Sequence, residues 1–284
     1  MTDQAATLRV LRGGKSITGE IARARRAIAV GGGKGGVGKS TLAVNLAVAY
    51  AQTGSRTLVV DTDLGMADLN LLLGVAPDRS MLDALGGASI DDVLIATHGI
   101  HLLPALNGSY LLSTIGPATQ RRVLDIVESL SARFDTLIVD IAAGIGQAQT
   151  TFAGATTDAI VVVNPEPLSM ADAYATLKVL CVEQGVKHAY LVPNRVTSRA
   201  QADELVARLG ALVTRFLDLK ITALPAIPAD PAVTEAAQIG VPLLVHAPDA
   251  PAARAIRQLT RALATLAPAP VLDAPWFRAT GGSR

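Results

Sequence analysis

Three segments in succession constrain this chain before anything else does. Ala27-Ile28-Ala29-Val30 is a short apolar run of strand type. A glycine-rich stretch follows. Then Thr41-Leu42-Ala43-Val44-Asn45-Leu46-Ala47-Val48-Ala49-Tyr50 reads as a helix, closed by Gly54. Read from Gly33, the middle segment satisfies G-x-x-x-x-G-K-[ST], ending in Gly38-Lys39-Ser40. Glycines let the backbone curl so that successive N–H groups face one anion. Gly35, Gly36, Val37, Gly38, Lys39, Ser40 and Thr41 are therefore the candidate nucleotide-binding loop. Lys39 is placed to reach β- and γ-phosphates, and the Ser40 hydroxyl to ligate Mg²⁺. The helix that follows adds partial positive charge where phosphates would sit.

The rest of the chain alternates in the same way. Thr57-Leu58-Val59-Val60-Asp61, Thr136-Leu137-Ile138-Val139-Asp140, Ala159-Ile160-Val161-Val162-Val163 and Ala189-Tyr190-Leu191-Val192-Pro193 suit strands buried on both faces. Val123, Ile126, Val127 and Leu130 fall at helical spacing, and Ser169 with Asp172 reads as a capping-box start to a helix through Leu180. This order predicts an α/β fold: a doubly wound, mostly parallel sheet flanked by helices, with ligands at the carboxyl ends of the strands. Residues 1–25 read as a polar, basic N-terminal arm, with Arg23 and Arg25 at its far end clustered with Arg26. Residues 26–267 read as the globular domain, and 268–284, rich in Pro, Ala and Gly, as a flexible tail.

Composition narrows the function. A net charge of +1 argues against bulk nucleic acid as a direct partner. The single cysteine, Cys181, excludes a disulfide framework and paired-cysteine metal or cluster sites. It fits a reducing compartment. Met1-Thr2-Asp3-Gln4 opens no apolar signal segment, and no apolar run is long enough to span a bilayer, so the expected location is cytoplasmic. A peripheral contact at the inner face of the cell membrane stays open.

Acidic residues at strand ends beside a P-loop serve simple chemistry, in which one supports Mg²⁺ and another orients the attacking water. Asp61, Asp63 and Asp140 are the candidates. His98 and His101 flank Gly99-Ile100 with no nearby carboxylate set beyond Asp91 and Asp92, and a surface or strand-edge role fits them better than metal binding.

Lys34 carries the first family resemblance. Lys34-Gly35-Gly36-Val37-Gly38-Lys39-Ser40 resembles the deviant P-loop of the MinD/ParA/NifH-like ATPases. The resemblance implies ATP with Mg²⁺, slow regulatory hydrolysis, and a homodimer in which Lys34 reaches the partner subunit's nucleotide. It also implies that Asp63 positions the hydrolytic water, Asp140 supports Mg²⁺, and Asp61 assists near the metal. Asn194-Arg195 matches the family's adenine-recognition position, and Ile227-Pro228-Ala229-Asp230 a loop closing the base pocket. Ile141 departs from the small polar residue common after the second aspartate.

Within that superfamily the chain resembles the FlhG (FleN/YlxH) branch, which controls flagellar number and placement. Three segments carry this: Asp61 to Asn70, Pro165 to Tyr174 (Pro-Glu-Pro-Leu-Ser-Met-Ala-Asp-Ala-Tyr), and Asp3-Gln4-Ala5-Ala6-Thr7-Leu8-Arg9. The last implies activation of FlhF, a GTPase of the signal-recognition-particle type. Asp3, Gln4, Leu8 and Arg9 would bind it, Leu8 as anchor and Gln4 in the partner's active site. A segment of about ten residues is too short to be a stable helix alone, and would fold on its partner. C-ring switch proteins and a flagellar transcription regulator are further implied partners.

Ile256, Leu259, Leu263 and Leu266 form an apolar stripe, with Arg254, Arg257 and Arg261 on another face. Such a helix can lie on an anionic membrane, but the preferred reading packs it on the sheet. Competing functions are a MinD/ParA-like division-site or partition ATPase, a metal or cluster carrier, and a binding module without hydrolysis. Retention of Lys39, Ser40, Asp63 and Asp140 speaks against the last.

Overall fold

The computed structural model describes residues 26–63, 68–105, 117–144 and 152–266. The arm with Asp3, Gln4, Leu8 and Arg9, part of the Asp61–Asn70 segment, and the tail 268–284 lie outside the described residues. The chain begins with β1 (Arg26–Gly31), α1 (Lys39–Gln52) and β2 (Thr57–Asp61). Three short helices follow: α2 (Leu69–Leu72), α3 (Met81–Leu85) and α4 (Ile90–Val93). Next come β3 (Ile95–Thr97), β4 (Ile100–Leu103), α5 (Pro117–Ser131), β5 (Thr136–Asp140) and β6 (Asp158–Val163). The last part holds α6 (Pro167–Val182), β7 (His188–Val196), α7 (Arg199–Phe216), β8 (Lys220–Ala223) and β9 (Ile227–Pro228). It closes with α8 (Pro231–Gln238), α9 (Leu243–His246) and α10 (Pro251–Thr265).

The strands form one sheet in the order β3-β4-β2-β5-β1-β6-β7-β8, with β9 added to β7. All pairings are parallel except the β3–β4 hairpin. Starting from the central β1, the chain winds to one side and then the other, which is the doubly wound arrangement the alternation predicts. β1, β2, β5 and β6 are buried at every residue. Alternate side chains feed opposite faces. Ile28 and Val30 join α1, α8, α9 and α10 in one core, and Ala27 and Ala29 join α5, α6 and α7 in the other. Among the described residues no helix is long and apolar enough to cross a membrane.

Arg26 is not part of the arm. It opens β1 and is 6 % exposed. Its Nε donates to Asp158 Oδ2 at 2.8 Å and its Nη2 to Asp158 Oδ1 at 3.1 Å. The remaining donors cap α10: Nη1 bonds Leu263 O, and Nη2 bonds Leu266 O at 3.1 Å. A buried cation needs such partners, and β1, β6 and the end of α10 supply them together.

The apolar stripe of α10 belongs to the core. Ile256, Leu259 and Leu263 are at most 2 % exposed, in the cluster that contains α1. The capping-box reading of Ser169 fails. α6 begins at Pro167, whose fixed φ suits a first helical position, and this moves Ser169 inside the first turn. β7 also continues beyond Pro193, so Asn194 and Arg195 lie within a strand rather than after one. His98 (φ 47°) and Gly99 (φ 78°) turn the β3–β4 hairpin, and His101 packs edge-on against Phe134. No group of three or more His, Cys, Asp or Glu among the described residues could hold a metal.

Candidate functional site: a phosphate loop and a carboxylate pair

The site forms where β1, β2 and β5 end together. β1 delivers the chain into the glycine loop, and α1 starts at Lys39 without a side-chain cap. Its first N–H groups are therefore left for a ligand. Two glycines are demanded by geometry. Gly38 has φ 96°, and a Cβ there would lie 2.5 Å from Asn194 Nδ2. A Cβ on Gly33 would lie 2.3 Å from Asp172 O on α6.

Lys39 is 7 % exposed, and its ammonium donates to Lys34 O at 3.1 Å, across the loop. Burial lowers its pKa, partly offset by Asp140, Asp63 and Asp68. Asn45 braces α1 from behind: its Nδ2 donates to Thr41 O at 2.8 Å and its Oδ1 accepts from Leu244 N at 3.0 Å.

Asp61 and Asp140 are register partners on adjacent parallel strands. Both are nearly inaccessible, at 2 % and 4 % exposure. Burial, and for Asp61 the neighbouring Asp140 charge, raises Asp61 to about 8. Burial raises Asp140 to about 7, against the pull of the Ser40 hydroxyl and of Lys39. Asp140 Oδ1 has no hydrogen-bond partner. An orphaned buried carboxylate oxygen beside a hydroxyl is a donor set that suits a hard divalent cation. The residues present thus fit Mg²⁺, with Ser40 and Asp140 to hold it.

Asp61, beside Asp140, is also engaged by backbone N–H groups. Its Oδ1 accepts from Asp63 N at 2.9 Å, and it also accepts from the backbone of Leu69. It therefore spans the ends of the segment between β2 and α2. Asp63 is half-buried and close enough to influence the charges of Lys39 and Asp140. Thr62 Oγ1 donates to Asp140 O at 2.6 Å, locking β2 to β5 at this level.

Lys34 stands apart from Lys39. Its side chain is about half exposed, and its Nζ lies 3.4 Å from Glu166 Oε2 at the start of α6. Asn194 is buried, and its Nδ2 donates to Val37 O at 2.7 Å. It holds the loop, a role that sequence reasoning did not assign. Arg195 is exposed with φ 56°, at the irregularity where β9 joins β7. The Ile227–Asp230 segment lies beside Asn194 through that pairing, but the Asp230 carboxylate is committed: Oδ1 accepts from Ala232 N and Oδ2 from Ala252 N, both at 3.0 Å. Ile141 is buried in the core under α6. A separate cavity of about 610 Å³, lined by Pro193, Val196, Leu224 and Pro228 among others, contains no residue of the loop.

Sequence reasoning also missed Asn164, Ser169 and Asp172 as parts of the loop's wall. The available signal was a polar residue, Asn164, directly after an apolar strand run.

A glycine loop at a helix N-terminus, a buried lysine across it, and a buried aspartate beside the loop's serine define a P-loop nucleotide-binding protein. Residues 23–264 match the family model described as ParA: NUBPL iron-transfer P-loop NTPase. The chain is 37 % identical to the antiactivator FleN of Pseudomonas aeruginosa, over 74 % of this chain and 76 % of that protein. It is 31 % identical to the flagellum site-determining protein YlxH of Helicobacter pylori, over 64 % and 62 % of the two chains. The septum site-determining protein MinD of Pyrococcus horikoshii, solved with Mg-ADP, superposes with a TM-score of 0.72 at 27 % identity, covering 85 % of this chain and 97 % of that one. The chain belongs to the MinD/ParA family of P-loop ATPases, in the branch of FleN and YlxH.

Proposed function

We propose that this chain is an ATP-switched regulator of flagellar number and placement. ATP favours a dimer and hydrolysis releases it. One observation carries the reading: the relationship to FleN, at 37 % identity over 74 % of this chain, whose family match over residues 23–264 contains the loop, Lys34 and the strand-end aspartates. In this reading the loop N–H groups and Lys39 hold the phosphates. Ser40 and Asp140 hold Mg²⁺, which neutralises phosphate charge when bound. Asp63 orients the attacking water, and Asp61 keeps the Asp63 backbone in place. No nucleophilic side chain is needed, since phosphoryl transfer rests on positioning and electrostatics.

Lys34 sits about half exposed beside Glu166, at the surface where a second copy could receive it. Turnover is expected to be slow, as befits a switch. Asp3, Gln4, Leu8 and Arg9 would engage an FlhF-type GTPase, with C-ring proteins or a flagellar transcription regulator as further outputs. The chain would work in the cytosol. Membrane contact would fall to residues beyond 266, because the α10 stripe is already buried.

A cluster-carrier role, suggested by the family description and by a cyanobacterial carrier at 27 % identity, finds no paired thiolates in a chain with one cysteine. The division-site reading leaves the Asp3–Arg9 motif without a role. The test is GTP hydrolysis by the cognate FlhF-type GTPase with a peptide of residues 1–14. Stimulation that disappears with Gln4→Ala supports the proposal. No stimulation of an active GTPase by either peptide removes the FlhF role.

A further inference from the structure

A phosphate loop that turns its N–H groups inward turns carbonyls outward, and buried carbonyls need donors. The outward carbonyl of Val37 meets two amides. Asn194 Nδ2 donates to it at 2.7 Å. In the orientation that satisfies its neighbouring acceptors, the Asn164 amide nitrogen lies 3.2 Å from Val37 O and 3.3 Å from Asn194 O. Asn164 is 4 % exposed and directly follows Val163, the last residue of β6. Its own backbone N–H donates to Ser169 Oγ at 2.9 Å, and Ser169 is 2 % exposed. The same β6–α6 junction presses Asp172 O against Gly33 and offers Glu166 to Lys34.

We infer that Asn164 is a positioning residue for nucleotide binding: one amide fixes the crest of the phosphate loop and the Asn194 backbone together, and Ser169 fixes Asn164. The chemistry is specific. The Asn164 nitrogen must donate here, because the two groups it faces are carbonyl oxygens. An aspartate of the same shape cannot donate to them. A leucine keeps the volume and removes the polarity. The geometry also explains why an apolar strand is followed by a buried amide, which costs free energy unless its hydrogen bonds are made. The loop is then pre-shaped before the nucleotide arrives, and the site loses affinity when the brace is cut. This inference rests on the nucleotide-binding reading above.

The experiment is equilibrium binding of fluorescent ATP and ADP analogues, with unlabelled GTP as competitor, to the full chain and to Asn164→Asp, Asn164→Leu and Ser169→Ala. Losing one hydrogen bond of about 1 kcal/mol corresponds to roughly a fivefold change in Kd. The expected result is a fivefold or larger loss for ATP and ADP alike in Asn164→Asp and Asn164→Leu. Ser169→Ala shows a smaller loss, and the ATP-over-GTP preference is unchanged in all three. Thermal unfolding without nucleotide separates this from simple destabilisation: a fold defect lowers the melting temperature without a uniform loss across phosphates at temperatures where the variant is folded. If Asn164→Asp does not fold, Asn164→Leu and Ser169→Ala carry the test. Wild-type affinity in folded Asn164→Leu overturns the inference. Failure of the wild-type chain to bind ATP overturns the nucleotide reading itself.

Discussion

Asp140→Asn should stabilise the nucleotide-free protein at pH 8 while removing its response to Mg²⁺ and ATP. The folded-state carboxyls of Asp140 and Asp61 are raised to about 7 and about 8, chiefly by burial. In the unfolded chain both ionise near 3.8. Between about pH 4 and pH 8 the folded state therefore holds more protons than the unfolded one. Its stability is full below pH 4 and is lost as pH rises through the folded values. For Asp140 the rise is about three units, at roughly 1.4 kcal/mol each, so ionising it in place costs up to about 4 kcal/mol. Water entry and local relaxation reduce this to about 2 kcal/mol. An asparagine never takes the charge. Its gain should be about 4–8 °C in melting temperature at pH 8 for a domain of this size. It should shrink to about a third of that at pH 5 and vanish below about pH 4, where the wild-type carboxyl is neutral in both the folded and the unfolded chain. The assay is thermal unfolding at pH 5 and pH 8, with and without Mg²⁺ and ATP. An equal gain at both pH values, or a loss at pH 8, would refute the reasoning, because the cost would then not be the buried charge.

Other expectations follow from the same packing. Asp158→Ala leaves the Arg26 guanidinium buried without its carboxylate and should cost about 3–5 kcal/mol, read by urea unfolding. Adding Arg26→Leu should recover part of that loss. Gly33→Ala places a methyl against Asp172 O, and should cut nucleotide affinity at least tenfold in a fluorescence titration while α1 still forms. Leu259→Ala opens a cavity under α10 and should cost about 2–5 kcal/mol in the same unfolding assay.

The sheet was legible because its strands are continuous apolar runs between helical patterns, and parallel strands buried on both faces leave that mark. The loop was legible because phosphate binding fixes glycine, lysine and serine at set spacings. Less visible was anything set by packing across distant segments. Arg26 looked like one of a basic cluster at the end of the arm because its partners, Asp158 and the last carbonyls of α10, lie 132 and more residues away. Ser169 looked like a helix start because Ser and Asp at that spacing are good caps, while Pro167 had already begun the helix. Asn194 was picked out for the base, yet its amide reaches Val37, a contact 157 residues distant in sequence. The α10 stripe suited a protein core better than a membrane surface, but its pattern alone admitted both. Only the neighbouring α1 decides between them.

The central claim is a nucleotide-controlled change of assembly, and molar mass in solution tests it directly. Light scattering of the Asp63→Ala chain, which should bind ATP without turning it over, is to be compared with ATP·Mg²⁺ and with ADP·Mg²⁺. The account predicts a dimer with ATP, a monomer with ADP, and a monomer in both when Lys34→Ala is added. A chain that binds ATP yet stays monomeric, or that dimerises regardless of nucleotide and of Lys34, would contradict it.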